Sequence, residues 1–223
     1  LMNLQRKVSE KYLLGLKVTF VLPLELCKSL DSFYRLAYVI SLHDLTLHKV
    51  SQQDEMEEFF VALQGLEKEL KHPVSNIKCG EMYIVKDLNT KKWCRAMLYN
   101  YTTTDEIIIL RNIDLGVVVP ANRHQIFKAP IELQAKLPFG IRCSLACTNN
   151  KNQEFSAIYY LLKSLGKLFT LKVVMTSQIS NVIELYDEQN RNVVDEMAKL
   201  KLITRLIIPY HGTACISHVE NMF

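Results

Sequence analysis

The sequence predicts a mainly β protein of the α+β class, in which a small barrel is inserted into a five-stranded one. Strand-like runs rich in β-branched and aromatic residues dominate the chain. They fall into a closely spaced central group, residues 76–128, with further strands and amphipathic helices on both sides. With 223 residues, 49% of them hydrophobic, the chain can bury a large core, which excludes disordered, collagen-like and small disulfide-stapled proteins.

The first part of the chain contains two strand-like runs, residues 16–22 and 33–40. The first run lies in the most apolar window, residues 12–27. We interpret this window as a buried strand, and expect neither a signal peptide nor a membrane span, because charged and proline residues interrupt it and no small-residue cleavage site follows. The interrupting residues are Lys17, Pro23 and Glu25.

A helix is predicted at residues 54–71. Residues 51–54 have the pattern of a capping box, and the apolar residues that follow recur at intervals of three and four, the spacing of one helix face. Pro73 ends the pattern because proline cannot continue a helix. The apolar residues are Met56, Phe59, Phe60, Leu63, Leu66 and Leu70.

The central group consists of short strands about one turn apart, and this spacing predicts a small twisted barrel. The strands are predicted at residues 82–85, 93–101, 106–113 and 117–120.

The last part of the chain alternates strands with helices. Strands are predicted at residues 141–147, 169–176 and 182–186, and helices at 131–136, 153–165 and 193–202. Three strands here and two before the central barrel make five, the number in an OB-type barrel. We therefore expect residues 1–75 to be the N-terminal part of an OB domain with a linker helix. Residues 76–128 are then the inserted barrel, and 129–223 the C-terminal OB part and a tail.

Charge and cysteine usage exclude several function classes. A net charge of +4 is too small to bind a nucleic-acid backbone by charge alone. The six cysteines lie mostly within apolar runs, which is typical of a reducing, intracellular compartment. Cys143 and Cys147 lack a zinc-binding spacing even with Cys215 and His218 nearby, and no nucleophile has an identifiable histidine partner. We expect no metal, no cofactor and no catalytic residue.

Three segments of the central group resemble the core of a Tudor domain. Gly80-Glu81-Met82-Tyr83-Ile84-Val85 is similar to its first strand, Trp93-Cys94-Arg95-Ala96 to its Trp-Tyr-Arg-Ala strand, and Ile113-Asp114-Leu115-Gly116 to its Ile-Asp-Tyr-Gly ending. Farther out, Pro138, the Cys143-Ser144-Leu145 strand and the Asn190 turn resemble the extended Tudor arrangement, in which a Tudor barrel lies inside a staphylococcal-nuclease-like OB domain. The resemblance covers roughly residues 14–203.

The resemblance implies a non-enzymatic adaptor that binds an arginine-containing N-terminal tail of a PIWI protein. It further implies a cytoplasmic, perinuclear germ granule (nuage) as the location, and a larger, self-associating multi-Tudor scaffold of the piRNA pathway as the parent protein. A true staphylococcal nuclease needs clustered carboxylates for calcium, and the strand at residues 169–174 and its neighbours offer no such set.

The positions that form the aromatic cage of the family contain no aromatic residue here. They correspond to Asp87 or Leu88, Cys94, Asn112, Leu115 and Val117. Each lost ring removes about 0.5–2 kcal/mol of attraction for a methylated cation. We therefore expect an unmethylated arginine, held near the carboxylates of Asp87 and Asp114 in the groove between the two barrels. The apolar residues of the tail would pack on Leu88, Leu115 and Val117.

Two alternatives stay open. One is an architectural module that has lost its ligand, in which Trp93 packs in the small barrel and Arg95 and Asp114 hold that barrel together. The other is single-stranded RNA binding, since OB barrels bind single strands with basic grooves and exposed rings. The candidate RNA-binding residues are Tyr99, Tyr101, Lys91, Lys92 and Arg123.

Overall fold

The fold is built on a closed β-barrel, formed mainly by strands distant in the sequence, and on an inserted β-sheet, formed mainly by consecutive strands. The computed structural model describes residues 32–100, 106–149, 152–176 and 181–206. The predicted strand at 16–22, Tyr101 and the apolar tail beyond Leu206 lie outside these residues. Among the helices described, none has the length and apolar character needed to cross a bilayer.

The described residues form twelve strands and four α-helices. The strands are β1 Tyr34–Ser41, β2 Asp44–Lys49, β3 Met82–Lys86, β4 Trp93–Asn100, β5 Ile107–Asn112, β6 Val118–Asn122, β7 Ile126–Lys128, β8 Gly140–Leu145, β9 Cys147–Asn149, β10 Leu168–Thr176, β11 Asn181–Tyr186 and β12 Ile203–Arg205. The helices are α1 Gln53–Gly65, α2 Ile131–Ala135, α3 Glu154–Leu162 and α4 Val193–Lys199.

Five strands close into a barrel in the order β1-β10-β11-β8-β2. All neighbours are antiparallel except β11 and β8, which are parallel. The predicted mainly β class and the barrel split into two strands before the insertion and three after it are confirmed. The second barrel strand before the insertion is β2, which the sequence analysis left out. Its polar residues Asp44 and His48 mask an alternation in which Leu45 and Leu47 are fully buried.

The inserted unit is an antiparallel sheet in the order β6-β5-β4-β3-β7. Its four predicted strands are confirmed within two residues, and β7 was missed because it has only three residues. The sheet curls until the Leu88 N–H, just after β3, donates to the Pro120 carbonyl of β6 at 2.9 Å. Its concave interior is apolar and includes Tyr83, Leu110 and Ile126.

Three local predictions were wrong. The capping box does not form, because a short 3-10 turn, Val50–Gln52, precedes α1 and no side chain caps the helix. The strand predicted at 141–147 is divided into β8 and β9, and β9 pairs with the unpredicted β12. The last predicted helix ends at Lys199, because Lys201 adopts a positive φ of 58° and the chain turns into β12.

Helix α1 covers the outer face of the inserted sheet. Phe59 and Leu63 pack with Trp93, Met82 and Ile84 in a separate apolar cluster. The prediction that Trp93 packs inside the small barrel is therefore corrected: it is buried, but on the helix-facing side. The side-chain amide of Gln64 fixes this contact. Its oxygen accepts from the backbone N–H of Trp93 at 2.8 Å, and its nitrogen donates to the backbone carbonyl of Trp93 at 3.0 Å.

The inserted sheet meets the barrel through the turn at residues 112–117. Gly116 has a φ of +79°, and a Cβ there would lie 1.9 Å from the Oγ1 of Thr46 on β2. On β8, a Cβ at Gly140 would lie 2.5 Å from the Ile113 carbonyl oxygen. The two units therefore approach each other at backbone distance, which only glycine permits at these two positions.

We expect Gly116→Ala to destabilise the protein more than Gly166→Ala. Both glycines have a φ near +78°, but a Cβ at Gly166 meets nothing within 4 Å. The Gly166 variant should lose about 1–2 kcal/mol of unfolding free energy from backbone strain alone. The Gly116 variant should lose at least about 2 kcal/mol more, in the range of overpacked sites. Urea unfolding measures both, and equal losses would contradict the close approach to Thr46.

We also expect a fragment of residues 76–128 to be weakly folded. It lacks α1, which covers Trp93, and it lacks Asp44, the carboxylate partner of the buried Arg111. Size-exclusion chromatography and amide NMR dispersion measure this. A stable, monomeric fragment with full affinity for a peptide ligand would contradict the dependence of the sheet on its surroundings.

The proposed domain limits of 1–75, 76–128 and 129–223 stay a prediction.

Candidate functional site

The predicted site residues lie at one end of the inserted sheet, with Cys94 on β4 and the others on two turns. Residues 87–92 join β3 to β4, and residues 112–117 join β5 to β6. Ala96 near the start of β4 pairs with Asn112 at the end of β5, which places both turns at the same end of the sheet. The sequence therefore identified residues that the fold brings together.

The first turn is held by the side chain of Asp87. Its Oδ1 accepts from the Asn89 N–H at 3.0 Å, and its Oδ2 accepts from the Thr90 hydroxyl at 2.7 Å. The residue is only 7% exposed. Because a carboxylate has about four acceptor positions, each oxygen can still accept one more hydrogen bond. Asp87 therefore serves the turn and keeps some capacity for a ligand.

The second turn is held by the side chain of Asn112. Its Oδ1 accepts from the Asp114 N–H at 2.9 Å and from the Leu115 N–H at 3.0 Å. Its backbone N–H donates to the Val117 carbonyl, and its carbonyl accepts from the Gly116 N–H. Asparagine commonly closes turns in this way. The buried Asn112 side chain thus shapes the site from inside instead of presenting its amide to a ligand.

Asp114 is fully buried and paired with Arg95. Its Oδ2 accepts from Arg95 Nε at 3.0 Å, and its Oδ1 accepts from Arg95 Nη2 at 2.6 Å and from the Phe139 N–H at 3.1 Å. The predicted contact between the guanidinium of a ligand and Asp114 therefore has no room. The alternative weighed in the sequence analysis, a structural pair of Arg95 and Asp114, describes these contacts.

The Arg95 guanidinium uses all five of its N–H donors. Besides the two bonds to Asp114, Nη1 donates to the carbonyls of Leu133 and Lys136 at 2.8 and 2.6 Å, and Nη2 donates to the Leu137 carbonyl at 3.2 Å. Its Cζ lies 4.6 Å from the ring centre of Phe59 on α1. Arg95 thus joins β4, the second turn, α1 and the segment after α2.

The part of the site that remains accessible is apolar. Leu88, Leu115 and Val117 are each half-buried. Cys94 is buried, and burial together with the charges of Asp87 and Asp114 raises the pKa of its thiol to about 12, so it is neutral at pH 7. This surface can pack against aliphatic groups, but it offers no ring for a methylated cation.

A charged network that the sequence analysis missed lies where the sheet meets the barrel. Arg111 Nη1 donates to both carboxylate oxygens of Asp44, and Arg111 Nη2 donates to the Thr46 hydroxyl at 3.0 Å. Arg142 donates to the same carboxylate at 3.1 and 2.9 Å. The signal in the sequence was an arginine at the end of an apolar strand, which indicates a buried partner, but it could not name Asp44.

The ring of Tyr99 lies beside this network and is 40% exposed. Burial and the charge of Asp44 raise the pKa of its hydroxyl, while Arg111 and Arg142 act in the opposite direction. Tyr38 lies close enough to contribute as well. Two aromatic side chains, Tyr99 and Tyr38, therefore lie near this charged network.

A histidine and a serine meet on the barrel, which the sequence analysis did not predict. His43 Nδ1 lies 3.0 Å from the Ser144 hydroxyl, and burial lowers the pKa of His43. Ser144 is 1% exposed, so its hydroxyl is closed to a substrate. Cys143 and Cys147 are buried too. No group of three or more metal-binding side chains occurs among the residues that the structure describes.

The comparisons with known proteins agree on one fold. The family model described as the Tudor domain matches residues 32–147, more than half of the chain. A sequence search of the curated proteins gives no match.

Three solved structures are similar along most of their length. Extended Tudor domain TD3 of mouse TDRD1, in complex with a MILI peptide containing dimethylarginine, has a TM-score of 0.68 and 16% identity, and covers 79% of this chain and 93% of that one. The Drosophila melanogaster Papi extended Tudor domain, in complex with an arginine-dimethylated Piwi N-terminal peptide, has 0.61 and 17%, covering 78% and 99%. The extended Tudor domain of Drosophila melanogaster Tudor-SN has 0.66 and 14%, covering 80% and 86%.

We expect Asp114→Asn to destabilise the protein strongly. The change keeps the size of the side chain but leaves the buried Arg95 cation unpaired, which costs about 3–5 kcal/mol. Thermal and urea unfolding measure the loss. Glu196→Gln, which removes the carboxylate from the exposed pair with Lys199, is the control and should leave stability nearly unchanged. Similar losses in both variants would contradict the role assigned to the Arg95 and Asp114 pair.

Proposed function

Because the chain belongs to the Tudor domain family, we propose that it is a non-catalytic adaptor that binds an arginine-containing N-terminal tail of a PIWI protein. Tudor domains are generally binding modules without catalysis. Two structures with the same fold hold arginine-dimethylated peptides of the PIWI proteins MILI and Piwi. These similarities support the class of ligand. The residues of this chain at the cage positions bear on whether the arginine of that ligand is methylated.

We propose that the arginine is unmethylated, and the ring-free cage carries this proposal. A methylated guanidinium gains affinity from the faces of aromatic rings, at about 0.5–2 kcal/mol per ring. The cage positions Asp87 or Leu88, Cys94, Asn112, Leu115 and Val117 supply none. An unmethylated guanidinium keeps five donors and prefers acceptors such as a carboxylate.

The end of the inserted sheet that carries the two turns is called the cage end. The proposed path of the tail crosses this cage end and continues along the junction of sheet and barrel. Its apolar residues would pack on Leu88, Leu115 and Val117, which are half-buried. Its arginine would approach Asp87, because the other carboxylate of the predicted site, Asp114, is fully buried against Arg95. Such a cleft removes water from both sides of a bound chain, which strengthens a charge-assisted hydrogen bond.

The wider setting of the proposal rests on resemblance alone. The stripped cage is similar to that of the first extended Tudor module of Krimper, a piRNA-pathway scaffold with two such modules. We accordingly propose a scaffold role within a larger, self-associating multi-Tudor protein located in a cytoplasmic, perinuclear germ granule.

Single-stranded RNA binding is the second candidate, and the arrangement of its residues does not favour it. Lys91 and Lys92 lie in the turn before β4, whereas Tyr99 lies near the other end of that strand. Tyr99 follows Trp93 by six positions along β4, about 20 Å at the usual rise per residue. Arg123 donates to the Ser75 carbonyl at 3.0 Å. The described rings and lysines therefore do not form one continuous basic groove.

We expect dimethylation of the arginine of the ligand not to tighten binding. Calorimetry with one PIWI tail peptide in unmethylated and symmetrically dimethylated forms measures this. A tenfold gain on methylation, about 1.4 kcal/mol, would overturn the proposal of an unmethylated ligand. In that case Tyr99→Ala and Tyr38→Ala should abolish the gain, because these are the rings at the junction. Repeating the titration at several salt concentrations separates peptide from RNA binding, which falls steeply with salt.

We expect Asp87→Asn to weaken binding of the unmethylated peptide by tenfold or more. The change removes the charge but keeps an oxygen that can accept from the Asn89 N–H. Thr90→Ala is the matched control, since it removes the hydroxyl that donates to Asp87 and leaves the charge in place. If both variants bind as tightly as the parent chain while remaining folded by circular dichroism, the arginine does not sit at the cage end.

A further inference from the structure

Helix α3 is apolar on two opposite faces. Ala157 and Leu161 are fully buried and belong to the core cluster of the barrel. On the outer side, Phe155, Tyr159 and Leu162 follow one another at intervals of four and three residues, the spacing of one helix face. A helix that is apolar on both sides is usually covered on both sides.

The outer face of α3 is open to solvent. Phe155 is 91% exposed and Tyr159 is 60% exposed, and Leu162 and Leu165, just beyond the helix, are exposed as well. Single exposed apolar residues are common on protein surfaces, but a contiguous group of them marks an interaction surface. These four residues are called the α3 stripe.

Val61 on α1 shows the contrast with the α3 stripe. It is also an exposed apolar side chain on a helix. Glu57 and Glu58 lie one turn before it and are exposed too. Val61 is therefore flanked by carboxylates instead of continuing an apolar stripe.

The area of the α3 stripe fits a weak pair of identical surfaces. An aromatic side chain buries about 150–250 Å² when it is covered, so the exposed parts of Phe155 and Tyr159 offer about 230–380 Å² per chain. With the leucines included, two facing stripes bury roughly 700–1,000 Å², the size of a weak, transient interface. An apolar stripe is also complementary to itself, as the two-fold contact of a homodimer requires.

The charges at the two ends of α3 favour an antiparallel pair. Glu154 begins the helix, and Lys163 follows its last residue, with Nζ 4.5 Å from the centre of the Tyr159 ring. In an antiparallel pair centred on the α3 stripe, the glutamate of one copy lies level with the lysine of the other. The two lysines are then nine positions apart along the pair, about 13 Å at the helical rise, which exceeds the screening length of about 8 Å at physiological ionic strength. A parallel pair would instead place both lysines at the same end.

We propose that the α3 stripe pairs with the same stripe of a second copy of this chain, in an antiparallel two-fold dimer. Phe155 of one copy then lies level with Leu162 of the other, and Tyr159 lies beside its own counterpart at the two-fold axis. This surface is on the barrel, and the proposal does not depend on tail binding at the inserted sheet. It gives a physical contact for the self-association that was proposed above on resemblance alone.

Sedimentation of the full chain from low to high micromolar concentration tests the proposal, after nuclease treatment to remove bridging RNA. We expect a reversible equilibrium of monomer and dimer that persists at high salt, because an apolar contact is not screened. Phe155→Gln and Tyr159→Gln should each weaken dimerisation by about tenfold or more, because each change occurs twice in a symmetric interface. Val61→Gln is the matched control and should leave dimerisation unchanged.

A chain that stays monomeric over this range, or a dimer that forms equally well in all four proteins, would overturn the proposal. Thermal unfolding distinguishes the other occupant of the stripe. If Phe155→Gln lowers the melting temperature of a monomeric chain, the stripe is covered by another part of the same chain, such as residues 12–27, and the second copy is excluded. Affinity for the PIWI tail peptide is measured in parallel and should not change in Phe155→Gln, so that failure here is distinguishable from failure of the tail-binding proposal.

Discussion

The fully buried guanidinium of Arg95 is the constraint on which the rest of the structure depends. A buried cation is tolerated only when it is paired and its donors are satisfied. Satisfying Arg95 requires the Asp114 carboxylate and three carbonyls from residues 133–137 at the same time. The inserted sheet, the second turn and the segment that returns to the barrel must therefore adopt one mutual arrangement. Such a pair need not add net stability, but its loss would leave an uncompensated charge.

A buried arginine also needs a carboxylate partner where the sheet meets the barrel. Asp44 on β2 neutralises Arg111 from the sheet and Arg142 from β8. Together with the backbone-distance contact at Gly116, this network makes the junction specific in orientation as well as close in space.

The division of labour among the carboxylates bears directly on recognition. Asp114 and Asp44 are paired with arginines of the protein itself, whereas Asp87, within the described part of the chain, accepts only from Asn89 and Thr90 of its own turn. Two of the predicted cage positions, Asp87 and Asn112, hold turns, whereas the buried ion pairs that join the sheet to the barrel involve other residues.

The sequence by itself determined the mainly β class, the split barrel and most strand positions, because alternation and short motifs are local properties of the chain. The tertiary structure alone decided that β2, β7 and β12 are strands, since short or polar segments become strands only when a partner strand accepts their hydrogen bonds. It also decided that Trp93 faces α1, that Asn112 closes its turn, and that Asp114 belongs to Arg95 instead of a ligand. Apart from the local turn of Asn112, these outcomes depend on contacts between residues far apart in the sequence, such as Arg95 with Asp114, 19 positions apart, and Trp93 with Gln64, 29 positions apart. Such pairings follow from the packing of whole elements, which no local pattern records.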